Sequence, residues 1–502
     1  MKNYNECFRS LNVGLPDDVE RLKAAGYYEE AIARIDAYLA EDWTQTQNGP
    51  YSNGLTDRPE NEPQNPTPQG VEALRDALLA QREIMRRIPA QYTWTKEAAL
   101  AQLQRLLKDV TPEEFDALDK AGRMDWRFVE GEKRYLDRFA STLIATHADL
   151  AARQKDLPPE DDEGETAQQR RHRLHEKMER EGKTSAHITI KASTGMSDAA
   201  FEKALAAARA AGRSSVHVRA WLPLPADCPA QSDIELLEFT EQPAVIAPAD
   251  AAQRTVYWEA DLTENRRFGA TYRYRHTAVY ADPTAQPGQP LTPEEAAAFA
   301  DDLKEEAPHM VFTPYLRALT AQLTAGITDP AEKARRIYDY ITLNVRYHYQ
   351  PSYFLHEALA DHCARDRRGD CGIMALTFIT MCRIAGIPAR WQSGLFAAPH
   401  EVGCHDWAMF YVAPKGWMYA DCSFGASQAR RGDEVLRRHY FGNLDTDRMV
   451  ANRALGADFV PAMNGFREDP YDNQTGEVEA DGVGLWGDAT ESKKEMLEYI
   501  EE

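Results

Sequence analysis

Apolar positions along the chain change their period more than once. Over residues 15–42, Ala31, Ile32, Ile35 and Leu39 recur at helical spacing after a turn around Gly26, which predicts two short helices. Residues 43–70 carry Asn48-Gly49-Pro50, Pro59, Pro63, Pro66 and Pro68 without an apolar period and read as a long loop. Helical stripes resume with Val71, Leu74, Leu78, Ile84, Met85 and Ile88, then with Leu100, Leu103, Leu106 and Leu107. Thr111-Pro112-Glu113-Glu114 supplies the N-cap, N1 proline and acidic first turn of a third helix. A helical region over 1–153 is therefore expected.

Residues 154–184, with Pro158-Pro159-Glu160-Asp161-Asp162-Glu163-Gly164 and Arg170-Arg171-His172-Arg173, read as a charged linker or exposed boundary helix. Beyond it the period becomes two. Ala186–Ala192, the alternation of Val216, Val218 and Ala220 with His217, Arg219 and Trp221, Thr255–Asp261, and Tyr272 and Tyr274 predict a β-rich domain over 185–290. Helical signals return at Thr292-Pro293-Glu294-Glu295, and Asp329-Pro330-Ala331-Glu332 opens a helix carrying Ala334, Ile337, Tyr338 and Ile341 at the start of a region spanning 291–460. Residues 461–502 hold 12 acids against 3 bases and read as a solvated tail or a helix ending at Glu502.

The whole chain has 58 Lys and Arg against 80 Asp and Glu, a net charge of −22, which argues against nucleic acid or an anionic membrane surface as partner. The start Met1-Lys2-Asn3-Tyr4-Asn5-Glu6-Cys7 shows no apolar export segment. The apolar run Gly372–Cys382 is well short of the roughly 18 residues of a membrane span. Seven cysteines without a Cys-x-x-Cys pair fit a reducing compartment. A soluble cytoplasmic protein is expected.

Five of those cysteines fall between 363 and 422, where the chemistry concentrates. Met374, Phe378, Met381 and Cys382 recur at helical spacing, the helix stops at Gly386 with Pro388 beyond, and it begins at Asp370 or Cys371. A cysteine at a helix start has free amides and the helix dipole to favour its thiolate, and the same amides can receive an oxyanion. Thirty-four residues on, a strand is expected to begin at His405 after a loop, turn at Pro414-Lys415-Gly416 and return as Trp417–Asp421. With a three-residue loop, position i pairs with 830 − i, so His405 and Asp421 share one face of the hairpin, as a Cys-His-acid triad requires.

The run Gly369-Asp370-Cys371, the helix end Ala385-Gly386-Ile387-Pro388-Ala389-Arg390, His405-x-Trp407 and the Trp417–Asp421 strand together resemble the transglutaminase-like superfamily. Asn344-Val345-Arg346-Tyr347 upstream, and Phe441-Gly442-Asn443-Leu444-Asp445 with Arg448 downstream, continue the similarity. The resemblance implies an α+β fold: a papain-like transglutaminase core, preceded by a β-sandwich-like domain that carries Trp221-Leu222-Pro223-Leu224-Pro225 and by the N-terminal α-helical region. It also implies Cys371 as nucleophile, His405 as general base and acid, Asp421 as orienting carboxylate and Tyr347 as a lining residue of the oxyanion site. Two positions depart from the family pattern: His405 is followed by Asp406 where a small residue is usual, and Asp421 by Cys422-Ser423 where Pro-Thr is common.

The expected reaction is acyl transfer through a thioester on a peptide, protein or other amide substrate, with water as acceptor and no metal or organic cofactor. Three alternatives stand beside it. A lysine acceptor would give protein cross-linking, Cys363, Cys371, His400, Cys404, His405 and Cys422 would offer zinc ligands without close-paired spacing, and the core could serve as a binding module. Cys404, beside His405, is a packed or exposed thiol, or a redox control point, and Asn473-Gln474-Thr475 has the pattern of a glycosylation acceptor.

Overall fold

The computed structural model describes residues 4–41, 70–155 and 165–502. It forms two compact units, one of residues 6–157 with 354–357, the other of 1–5, 158–353 and 358–502. The expected loop at 43–70 lies, apart from Gly70, outside the described residues, as does the acidic run 158–164.

In the first unit the paired helices are Asp17–Ala25 and Tyr28–Ala40, separated by Gly26 at φ 81°. Gly70–Gln91, Lys96–Leu106 and Pro112–Lys120 follow, the last capped by the Thr111 hydroxyl accepting from the Glu114 amide. The expected all-helical run is then broken. Trp126–Val129 and Glu132–Tyr135 form an antiparallel hairpin across Glu130-Gly131, both at positive φ, so aromatic β-formers and a glycine turn prevail before the short helices Phe139–Thr146 and Ala148–Ala151. Leu103, Phe115, Tyr135, Phe139 and Leu143 make its core.

In the second unit the described part of the expected charged linker is an ordered helix, Ala167–Glu181. A Thr166–Gln169 capping box opens it, and Arg170 fastens it to Asp447 at 2.6 Å and Glu501 at 2.8 Å. The β region contains two sheets. One runs in the order Thr490–Glu501, Lys183–Met196, Phe268–Val279, Gln231–Phe239; the other in the order Val483–Gly484, Glu477–Ala480, Val216–Pro223, Thr255–Leu262, Val245–Ile246. Ile188, Ile190, Tyr272 and Tyr274 of the first share one core with Val218, Ala220 and Trp258 of the second.

Residues 461–502 are thus neither tail nor helix. Strand Thr490–Glu501 pairs antiparallel along Lys183–Met196, and Glu477–Ala480 pairs with Val216–Pro223. The acids that suggest solvation are matched instead by arginines: Arg267 to Glu491, Arg273 to Glu498, Arg173 to Glu501 and Arg275 to Glu502. Charge pairing ties down these glutamates while Met496 and Tyr499 pack on the shared core.

The remaining elements of this unit are numbered in chain order: α1 (Pro330–Asn344), α2 (Cys371–Ile384), β1 (Ala389–Ala398), β2 (Glu401–Val412), β3 (Gly416–Ala420), α3 (Cys422–Arg431), β4 (Phe441–Gly442) and β5 (Arg448–Asn452). The strands form one antiparallel sheet in the order β4-β3-β2-β1-β5. Helix α2 is buried from Gly372 to Arg383 and packs with α1, Ala408, Phe410 and Ala420 in the largest core. The fold is α+β.

Two details correct the expected hairpin. Strand β2 begins at Glu401, because Gly403 and Cys404 pair with Phe396 and Leu395, so His405 lies within the strand. The β2–β3 register pairs Ala408 with Ala420 and Val412 with Gly416, two residues from the expected register. A slip of two keeps every side chain on its face, so His405 and Asp421 still point the same way.

Candidate active site

Cys371 is the first residue of α2, and Asp370 caps the helix by accepting from the Ile373 amide at 3.1 Å. Tyr353 Oη donates to the same capping oxygen, Asp370 Oδ1, at 2.6 Å. The helix start is tightly enclosed: a Cβ on Gly372 would lie 2.3 Å from Tyr353 Oη and 3.0 Å from Asp406 Oδ2. The cap engages the third amide, so those of Cys371 and Gly372 have no partner inside the helix.

Alternation along β2 decides what meets this helix. Phe410, in edge contact with Phe378 of α2 at 5.6 Å, marks the face that carries Asp406 and Ala408; His405 and Trp407, with ring centroids 5.9 Å apart, share the opposite one. Cys371 Sγ accordingly donates to Asp406 Oδ2 at 3.1 Å. His405 Nε2 bonds Asp421 Oδ2 at 2.7 Å, and its ring packs on Phe424 at 4.9 Å. Two of the three expected catalytic residues are therefore brought into a hydrogen bond, while the thiol of the third bonds the next carboxylate along the chain. Asp406 was visible in the sequence only as an acid standing where a small residue is usual.

Asp421 is fully buried at the N-cap of α3 and accepts from the Phe424 amide at 2.9 Å, Ser423 Oγ at 3.1 Å and Arg448 Nη2 at 3.0 Å. Burial opposes its ionisation, but the charge and hydrogen bond of His405, with Arg448 and the Phe424 amide, overcome it and lower the carboxyl to about 2. Arg448 is in turn held by Asp445 at 2.7 Å. With Nε2 engaged by Asp421, Nδ1 is the remaining imidazole nitrogen of His405.

The Cys371 side lacks such cations. Asp406 Oδ1 and the His405 carbonyl both accept from Gln474 Nε2 at 3.0 Å, and the Asp406 and Asp472 carboxyls are hydrogen-bonded to each other. Asp472 Oδ1 also accepts from Ser393 Oγ at 2.5 Å, Asn452 Nδ2 at 2.7 Å and the Asn473 amide at 2.6 Å. Burial, then Asp469, pushes Asp472 up to about 7; burial, then Asp472, pushes Asp406 well above the carboxylate range. Burial, then the charges of Asp406 and Asp370, drives the half-buried Cys371 thiol well above its ordinary value. The lowering expected from the helix start is thus reversed by burial and by the two flanking carboxyl groups.

Tyr347 sits beside Cys371 through the parallel pairing of Arg346–Tyr347 with Arg368–Gly369, and its hydroxyl is raised by burial and then by Cys371 and Asp370. Tyr353, which the sequence did not single out, flanks Asp370 from the same connecting segment. Asn473 is buried, which places its side chain out of reach of glycosylation. Among the described residues no cysteine forms a disulfide; Cys363, Cys382 and Cys422 are buried, and Cys404 is exposed with Lys494 Nζ at 3.4 Å. Among the described residues no group of three or more His, Cys, Asp or Glu is placed to hold a metal, and no helix is long and apolar enough to cross a membrane.

Residues 317–422 match the transglutaminase-like superfamily, a segment that includes α1, α2 and the β2–β3 hairpin and ends one residue past Asp421. Among solved structures, a candidate cysteine protease from Cytophaga hutchinsonii is similar at 15% identity, over 63% of this chain and 91% of that one, with a TM-score of 0.38. The periplasmic domain of TgpA from Pseudomonas aeruginosa is similar at 14% identity, over 53% and 96% respectively, with a TM-score of 0.24. No curated protein matches the chain.

Proposed function

Since residues 317–422 match the transglutaminase-like superfamily, we propose that this chain is a cysteine-dependent acyl-transfer enzyme that hydrolyses amide bonds, a peptidase or amidase. The observation that carries this reading is the buried His405–Asp421 hydrogen bond, backed by Arg448, on the strand that runs along the Cys371 helix. A carboxylate fixed on Nε2 sets the tautomer and supports a positive imidazole, which is the requirement for a base that later acts as an acid.

In this mechanism, which requires the thiol to exchange its contact on the Asp406 face of β2 for one with His405 on the opposite face, Cys371 Sγ attacks the amide carbonyl carbon, its proton passing to His405 Nδ1. The C–N bond breaks as the imidazolium returns that proton to the leaving amine, giving a thioester and a free amine. The amides at the start of α2 receive the negative charge that develops on the carbonyl oxygen, with Tyr347 alongside. Water, activated by the same imidazole, then cleaves the thioester to a carboxylic acid and restores the thiol.

The test is turnover of a peptide and amide library, read by mass spectrometry, for wild type, Cys371→Ala and His405→Ala. Hydrolysis by wild type should fall by several orders of magnitude in both variants. A primary amine added to the assay separates the two acyl-transfer outcomes: incorporation of the amine in preference to release of acid would make the enzyme a cross-linking transferase. Equal behaviour of all three proteins would leave the binding-module reading.

A further inference from the structure

The thiol of Cys371 is in contact with a carboxylate, an arrangement that works against a nucleophile. At 3.1 Å the Asp406 charge opposes thiolate formation directly, and no lysine or arginine forms an ion pair with Asp406 or Asp472 among the described residues. The two carboxyls are 5% and 4% exposed and bond each other, which two carboxyl groups can do only through a shared proton.

The surroundings of Asp406 are fully enumerable. From α2 it faces Cys371 and Asp370; from the segment before α2, Tyr347 and Tyr353. From the loop after β5 it faces Asp472 and Gln474, with Asp469 behind Asp472 and Arg467 donating to the Asp472 backbone carbonyl; along its own strand its neighbour is His405. Among the described residues every side-chain or amide donor to the two carboxyl groups is uncharged, the Arg467 guanidinium reaching Asp472 at its backbone carbonyl and acting on the carboxyl through its charge. The proton between the carboxyls is therefore the variable that sets the charge next to the sulfur.

We propose that Asp406 is a catalytic residue, the one that determines when Cys371 is armed. While Asp406 and Asp472 share a proton, the Asp406 carboxyl permits a thiolate beside it; once that proton is lost, the Asp406 charge keeps the sulfur protonated. The inference rests on Cys371 being the nucleophile proposed above. The inhibitory charge beside the sulfur is thus confined to pH values above those at which the carboxyl pair loses its proton.

The experiment is the rate of iodoacetamide labelling of the full chain between pH 4.5 and 9, mapped by mass to Cys371 so that exposed Cys404 does not confuse it. Asp406→Asn keeps the size of the side chain and removes the charge; Asp406→Ala, the small residue usual at this position, is the second variant should the first fold poorly. Both should label Cys371 at least about tenfold faster than wild type at pH 8, the effect of one pKa unit on the thiolate fraction, and converge with wild type below pH 5. A purely structural effect would displace the curves equally at every pH. Parallel curves, or slower labelling of both variants throughout, would overturn the proposal, the second result making Asp406 a proton acceptor. Superimposed curves for Asp406→Asn with altered labelling in His405→Ala would refute the role of Asp406 and leave the nucleophile reading standing. The expected pH-dependent gap in a chain that hydrolyses no amide would do the reverse.

Discussion

Replacing Arg448 by Met keeps most of the side chain's length but removes a fully buried guanidinium bonded to Asp421 at 3.0 Å and Asp445 at 2.7 Å. Unit charges at about 3 Å attract by about 5 kcal/mol at an effective dielectric of about 20. Desolvation offsets much of that in the intact network, yet removing one partner strands the others, and such losses come to about 3–5 kcal/mol. The charge origin of the loss has a pH signature. Asp421 is held at about 2 against an ordinary 3.8, so its ionisation adds stability that is fully present above about pH 4 and is lost as the pH falls toward 2. That contribution is about 2.5 kcal/mol at about 1.4 kcal/mol per pKa unit. Without Arg448 the native-state values of Asp421 and Asp445 rise, so the penalty of the substitution shrinks in acid by up to about 1.4 kcal/mol per pH unit for each carboxyl.

Urea unfolding followed by tryptophan fluorescence at pH 7, 5.5 and 4 measures this. The expected result is a loss of about 3–5 kcal/mol at pH 7 that diminishes by at least about 1 kcal/mol at pH 4. Arg448 also lies over the Phe424 ring at 4.6 Å, and packing of that kind does not titrate. A loss of equal size at all three pH values would therefore refute the charge argument and assign the role of Arg448 to packing.

Gly394→Ala should weaken the sheet by about 3 kcal/mol, because its Cβ would lie 2.0 Å from the Met449 carbonyl and 2.9 Å from the Ala451 amide, both backbone atoms of β5 that cannot rotate aside. A urea midpoint within error of wild type, at unchanged slope, would contradict it. His309 is fully buried, both ring nitrogens lack partners, and burial lowers it to about 3. The unfolded chain takes up its proton below about pH 6.5 and the fold does not, so stability falls as the pH drops; His309→Phe should add about 2 kcal/mol at pH 5 relative to pH 8. Thermal melts at those two pH values test this, and an identical change at both would count against it.

Much of the site could be read from residue order because local rules govern it. Asp370 as N-cap, Cys371 as the first helical residue and the shared face of His405 and Asp421 follow from capping chemistry and the two-residue period, which tolerates a register slip of two. Which face of β2 meets α2 does not follow from either rule. It depends on Phe410 packing against Phe378 across the core, and so the thiol's contact with Asp406 was not legible. The strand Thr490–Glu501 was misread for a related reason: its acids look solvated until Arg267, Arg273 and Arg275, more than two hundred residues earlier, lie alongside. In the first unit, the hairpin at Trp126–Tyr135 hid behind helical stripes on both sides.

The late position of Asp472, Gln474 and strand Thr490–Glu501 matters for a chain that emerges from the ribosome N-terminus first. When Cys371, His405 and Asp421 have all been made, the groups that surround Asp406 from the loop after β5 do not yet exist, and Lys183–Met196 still presents an open edge. At about 5–20 residues per second, several seconds of synthesis separate Cys371 from completion of its surroundings. The candidate site is thus finished only after nearly all of the chain has been made, and a product interrupted before residue 470 carries Cys371, His405 and Asp421 without the groups that surround Asp406.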